Sequence, residues 1–137
     1  MNKVLGIVLI VLALGITIVP AFTDCQSQGK SLTLADGKTV PMKCHWTGIA
    51  EIATGVPLMA VGVMMVASRR KGNLLTLGII GSVLGVFAIL LPTILIGVCQ
   101  SNMMLCNSVM KPTLIILGSL TIVCSMWAIV LSRKAKD

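Results

Sequence analysis

Sulfur is the most abundant reactive element in this chain: five cysteines stand beside a single histidine and four acidic side chains. Cys25, Cys44, Cys99 and Cys106 lie in or beside polar stretches, whereas Cys124 lies inside an apolar run. The polar stretches share a vocabulary. "CQS" at 25–27 is followed by "MKC" at 42–44, and "CQS" at 99–101 is followed by "MLC" at 104–106. An even set of cysteines in an oxidising compartment pairs into disulfides by default, and four of them allow three pairings. The repeat favours Cys25–Cys44 and Cys99–Cys106, while cross-pairing would staple the two segments together. A bond closing a loop of about 15–20 residues adds on the order of 3 kcal/mol. Cys124 reads as a small packing residue.

Other sulfur chemistries are weaker in the sequence. Cys44-His45 with Met42, Met103 and Met104 has donors for soft Cu(I). Oxidised cysteines supply no thiolate, and there is no second histidine, so no metal or cofactor is expected. Cys44-His45 also lacks the preceding Cys-x-x of a haem-attachment site. Four helices with cysteine pairs in two outer loops resemble the layout of quinone-linked disulfide oxidases. Such enzymes carry Cys-x-x-Cys, and the separations here are 19 and 7 residues. A thiol-disulfide oxidoreductase is therefore the second reading. Walker motifs, Ser-His-Asp constellations and paired carboxylates are absent.

The elements that carry these residues are membrane spans. Of 137 residues, 56% are hydrophobic and 11% charged, with a mean hydropathy of +1.02. A soluble domain is about one-quarter charged, and no small globular core could bury so many apolar side chains. A helix of roughly 20 apolar residues crosses the hydrocarbon layer. Four stretches qualify, at 4–22, 47–68, 74–98 and 112–131. Lipid offers the backbone no partners, so each should be helical. The fold class is all-α: an integral membrane four-helix bundle of two antiparallel hairpins. Its outer loops are 23–46 and 99–111, and its inner turn is 69–73. The repeated cysteine phrases suggest a pseudo-two-fold relation between the hairpins along the membrane normal.

Net charge +7 would suggest nucleic acid in a soluble protein. The chain has no Tyr and two Phe, without basic-aromatic interleaving, so nucleic acid is not an expected partner. Topology accounts for the charge instead. Lys3, Arg69, Arg70, Lys71, Arg133, Lys134 and Lys136 fall on one side. Lys30, Lys38, Lys43 and Lys111 fall on the other, diluted by Asp24 and Asp36. The richer side should be cytoplasmic, which puts both termini inside and the cysteine loops outside. Lys3 and Val19-Pro20-Ala21 also allow a signal-peptide reading of the first span; its uncleaved form is preferred.

Glu51 is the one charge within a span. Such groups usually face the bundle interior. It is expected near the outer interface, bonded to Lys111, His45 or a loop amide, on a face shared with Gly55, Leu58 and Gly62. Gly78, Gly81 and Gly85 form a small-residue ridge in the third span, expected to pack a neighbouring helix of the same chain. Pro57 should kink the second span.

The stretch "MKCHWTGIAEIATG" at 42–55, "LLPTILIGVC" at 90–99 and the Cys106-to-Pro112 segment resemble a family of small four-helix bacterial membrane proteins of unknown function. Its distinctive part is Cys-His-Trp-Thr. The resemblance implies four helices and outer cysteines. It further suggests a non-catalytic accessory subunit of a larger membrane assembly such as an ABC-type permease. The expected partners are the lipid bilayer, other membrane subunits and, optionally, further copies of the chain.

Overall fold

Long apolar runs leave the backbone to satisfy its own hydrogen bonds, and this chain does so in four helices. The computed structural model describes residues 2–68, 71–101 and 103–134. Its helices are α1 Asn2–Thr23, α2 Lys43–Ala67, α3 Lys71–Leu90 and α4 Lys111–Lys134. With adjoining turns, the apolar spans run Lys3–Thr23, Lys43–Ala67, Asn73–Leu95 and Cys106–Lys134, each long enough to cross a membrane. Arg69, Arg70 and Lys136, which carry part of the predicted inner charge, lie outside the described residues.

Each helix packs on its neighbours in chain order, and α1 closes the ring on α4. The pairs α1–α2 and α3–α4 are the closest, giving two antiparallel hairpins in one bundle. Small residues permit this closeness. A methyl group at Gly62 would sit 3.1 Å from the Gly6 carbonyl oxygen, and one at Gly6 would sit 2.9 Å from that of Gly62. In the second hairpin, Gly85 and Gly118 stand in the same reciprocal relation, at 3.2 and 3.0 Å. Gly55 faces Thr17 and Ala13 of α1, while Gly78 and Gly81 face Ser125 of α4. The ridge in α3 thus packs inside the chain.

One core cluster sits at the cysteine end and includes Ile16, Cys25, Cys44, Leu58, Met110 and Leu114. A second, at the end bearing the termini, includes Leu9, Val61, Met65, Leu77 and Ala128. Large apolar side chains also cover the outside of all four helices, among them Val11, Val56, Val83 and Val123. Such surface is unsuited to water and suited to lipid. The chain is a multi-pass membrane protein.

The helix ends differ from the expected bounds. α2 begins at Lys43, so Cys44, His45 and Trp46 occupy its first turn and not the loop. The His45 amide already bonds to the Met42 carbonyl at 3.0 Å. Regular α3 stops at Leu90, ahead of Pro92, which has no amide hydrogen to donate. The chain widens there into a π turn, Leu91–Leu95, with Ile96 and Gly97 both donating to the Leu91 carbonyl. Gly97 then adopts φ +78°, a conformation suited to glycine, and turns the chain towards Cys99. A second π turn, Cys106–Met110, leads into α4. α2 runs as one helix through Pro57. The loop after α1 holds a small antiparallel hairpin, β1 Leu32–Thr33 and β2 Thr39–Val40, which the all-α expectation did not include.

Candidate functional site

All four helices contribute a cysteine near one end of the bundle. Cys25 follows the last turn of α1, and Cys44 lies in the first turn of α2. Cys99 follows the π turn that ends α3, and Cys106 opens the π turn that leads into α4. Their sulfur atoms all lie within 4.8 Å of one another. Cys25 and Cys44 form a disulfide, while Cys99 and Cys106 are free thiols.

The contacts cross between the hairpins. Cys106 Sγ lies 3.4 Å from Cys25 Sγ, and Cys99 Sγ lies 3.7 Å from Cys44 Sγ and 3.9 Å from Cys25 Sγ. Of the pairing favoured by the repeat, Cys25–Cys44 is formed and Cys99–Cys106 is not, and the two loops converge on one cluster. Cys25, Cys44 and Cys106 are at most 2% exposed, whereas Cys99 is half-buried. Cys99 also borders an open cleft of about 700 Å³ whose rim carries Lys43 and Lys111. It is the sulfur that an external reagent reaches first.

The Cys-His-Trp-Thr run holds the cluster together from α2. His45 Nδ1 pairs with Asp24 Oδ2 at 3.0 Å, next to Cys25 in sequence. Thr47 Oγ1 donates to the Gly97 carbonyl at 2.6 Å, two residues before Cys99. One turn of helix therefore carries a disulfide to the α1 end, a hydrogen-bonding partner for it, and a hydrogen bond to the α3 end. Trp46 points outward and is 57% exposed, as an interfacial side chain can be. Asp24 is fixed further by the Ser27 amide, 2.8 Å from Oδ1. Partial burial pushes the Asp24 carboxyl up, but hydrogen bonds with His45 and Ser27 outweigh it and hold the carboxyl below its ordinary value.

The expected partners of Glu51 are otherwise engaged or elsewhere. His45 bonds to Asp24, and Lys111 stands at the cleft. Glu51 is fully buried, and neither carboxyl oxygen has a hydrogen-bond partner among the described residues. It lies seven residues after Cys44, two helical turns along the buried face of α2. The helix is tightly closed on α1 here, with Gly48 against Pro20 and Gly55 against Thr17.

Sequence reasoning missed the roles of three contributors, Asp24, Thr47 and Gly97, and grouped the Met42 thioether with Cys44-His45 and not with Cys99. Met42 Sδ lies 3.9 Å from Cys99 Sγ, and Met104 of the second Met-x-Cys phrase packs against the same core. The phrase itself was the available signal, because each repeat places a thioether two residues before a cysteine. Met103, one position earlier, is 94% exposed.

Residues 2–131 match a family model described as a domain of unknown function, DUF4418. No curated protein and no solved structure matches the chain.

Proposed function

The chain belongs to the DUF4418 family, and from that premise we propose that it is a membrane thiol–disulfide exchange protein whose centre is the four-cysteine cluster. The observation that supports this reading is the 3.4 Å contact between the Cys106 thiol and Cys25 of the buried disulfide. Exchange proceeds through a thiolate beside a disulfide sulfur, and this contact places the Cys106 thiol in that position from the opposite hairpin.

In the first step, the Cys106 thiolate attacks Cys25 Sγ. A Cys106–Cys25 bond forms, the Cys25–Cys44 bond breaks, and Cys44 leaves as a thiolate. Cys99 then attacks Cys106 Sγ and releases Cys25. Two electrons have passed from the Cys99/Cys106 dithiol to the Cys25–Cys44 disulfide, and the two protons rebind on Cys25 and Cys44. The new Cys99–Cys106 disulfide accepts two electrons from an external dithiol, which leaves as a disulfide. An external disulfide of higher potential returns Cys25 and Cys44 to the oxidised state. Half-exposed Cys99 is the entry point, and the buried pair is the store.

The Lys/Arg distribution supports an extracytoplasmic cysteine end, where thiol–disulfide traffic is routine. An accessory subunit docked on a permease would use the same cysteines as a static clasp. Redox titration separates the two. The full chain is equilibrated in glutathione and dithiothreitol buffers, quenched with an alkylating reagent and weighed intact. Exchange predicts that the pairs interconvert within the range of physiological dithiols and that C99S slows external exchange strongly. A clasp predicts both pairs oxidised down to about −300 mV or below, and that result refutes the proposal.

A further inference from the structure

We propose that the reduced cluster binds one soft d10 cation, Cu(I) by preference, held by the thiolates of Cys25, Cys44, Cys99 and Cys106 with Met42 beside them.

The geometry is that of a sulfur cage. A tetrahedral site with metal–sulfur bonds of about 2.3 Å has sulfur–sulfur edges of about 3.8 Å. Three edges of this cluster measure 3.4, 3.7 and 3.9 Å. Reduction of the Cys25–Cys44 bond lets that edge open towards the others, since all four sulfurs already lie within 4.8 Å. Three of the four are buried, so water competes poorly for the ion.

The choice of ion follows from the donors. Thiolates serve both Cu(I) and Zn(II), and a tetrahedral set of four suits zinc as well; an additional thioether favours the softer ion, Cu(I). The one histidine nearby is tied to Asp24, and the next sulfur is the Met42 thioether, 3.9 Å from Cys99. Met104 of the other hairpin packs against the same core. The expectation of no metal assumed oxidised cysteines and a different ligand set, Cys44-His45 with Met42, Met103 and Met104. Convergence of the two loops supplies thiolates that a single loop could not.

Metal and disulfide then exclude each other. When Cys25 and Cys44 give two electrons to an external disulfide, that disulfide leaves as two thiols, having taken up two protons. The new Cys25–Cys44 bond removes two ligands, and the cation is released. This coupling rests on the exchange reading, but the binding site does not.

The test uses the full chain in detergent, reduced with a phosphine and shown by alkylation mass to hold free thiols at all four positions. Cu(I) is titrated against a coloured chelator, and Zn(II) is titrated in parallel. We expect one Cu(I) per chain, a sulfur-only coordination shell by X-ray absorption, and no uptake by the oxidised protein. M42L should weaken Cu(I) binding about 10-fold, as loss of a supporting ligand does. C99S and C106S, which leave the other hairpin's pair in place, should abolish tight binding. The inference is overturned if the fully reduced protein takes up no Cu(I), if Zn(II) is preferred, or if uptake survives replacement of all four cysteines by serine. Because a phosphine prepares the reduced state, failure of dithiols to reduce the cluster would defeat the exchange reading and leave this test intact.

Discussion

The Thr47 hydroxyl donates to the carbonyl oxygen of Gly97 at 2.6 Å, joining the first turns of α2 to the segment that delivers Cys99. Thr47 is fully buried, so its loss leaves the Gly97 carbonyl without that donor. T47V keeps the shape and removes the bond, at about 0.5–1.5 kcal/mol. A lowered melting temperature in detergent and faster alkylation of Cys99 are expected. T47S should restore both. Unchanged Cys99 reactivity in T47V would show that Gly97 is held by the π turn alone.

The Asp24–His45 pair predicts acid sensitivity at the same end. The folded carboxyl sits below its ordinary value of 3.8, so its contribution to stability is present above that value. It is lost as pH falls through the folded value. Melting curves from pH 6 downward should therefore show a loss beginning near about pH 4 that D24N does not show. An identical pH profile for D24N would remove the pair from the account of stability.

Four apolar runs and two cysteine-bearing connections were legible because lipid imposes length and continuity on a span. The convergence of the connections was not. Cys25 and Cys106 are 81 residues apart, and no local pattern states that distant loops share one volume. The repeated Met-x-Cys phrase hinted at equivalence of the hairpins, yet it was read as two separate loops. Helix bounds shifted where polar residues continue a helix, as Lys43 and His45 do. They shifted again where a proline and a π turn end one early, as at Pro92. The partners of Glu51 were misjudged because nearness in depth was taken for contact, and Asp24 had the stronger claim on His45.

Reciprocal contact between Gly6 and Gly62 predicts steep size dependence. A side chain at Gly62 meets the Gly6 carbonyl at 3.1 Å and Ile10 at 2.8 Å, so α1 must move away. Overpacking of this kind costs about 1–3 kcal/mol. G62V should lower the melting temperature of the bundle, and G118V should do the same through Gly85 in the second hairpin. Substitution at Gly29, which has nothing within 4 Å, tests strain alone; there φ is +69°.

Topology is open to direct labelling. The Lys/Arg distribution predicts that a cysteine placed at Asp36, in a chain with its native cysteines replaced, reacts with an impermeant reagent on intact cells. One at Asn73 should react only after permeabilisation. The reverse pattern would invert the orientation and place the cluster in a reducing compartment. Thiols and metal would then be its resting state there.

Glu51 carries the sharpest energetic prediction. A buried carboxyl whose oxygens lack partners bears a desolvation cost of about 1–3 kcal/mol or more, and no described donor would be orphaned by its removal. E51L, of similar volume, should therefore raise the melting temperature. This reverses the expectation that a hydrogen-bonded Glu51 would be missed. E51Q retains two polar groups in the same place and should gain little. The decisive comparison is stability against exchange, measured on the same samples. If E51L is more stable and exchanges disulfides at the normal rate, Glu51 has no part in the chemistry of the cluster two turns away. If E51L is more stable but exchange slows at least tenfold while E51Q behaves likewise, the carboxyl serves the cysteines as a proton acceptor. If E51L is less stable, Glu51 has a partner within the bundle, and the account of an unpartnered carboxyl is wrong.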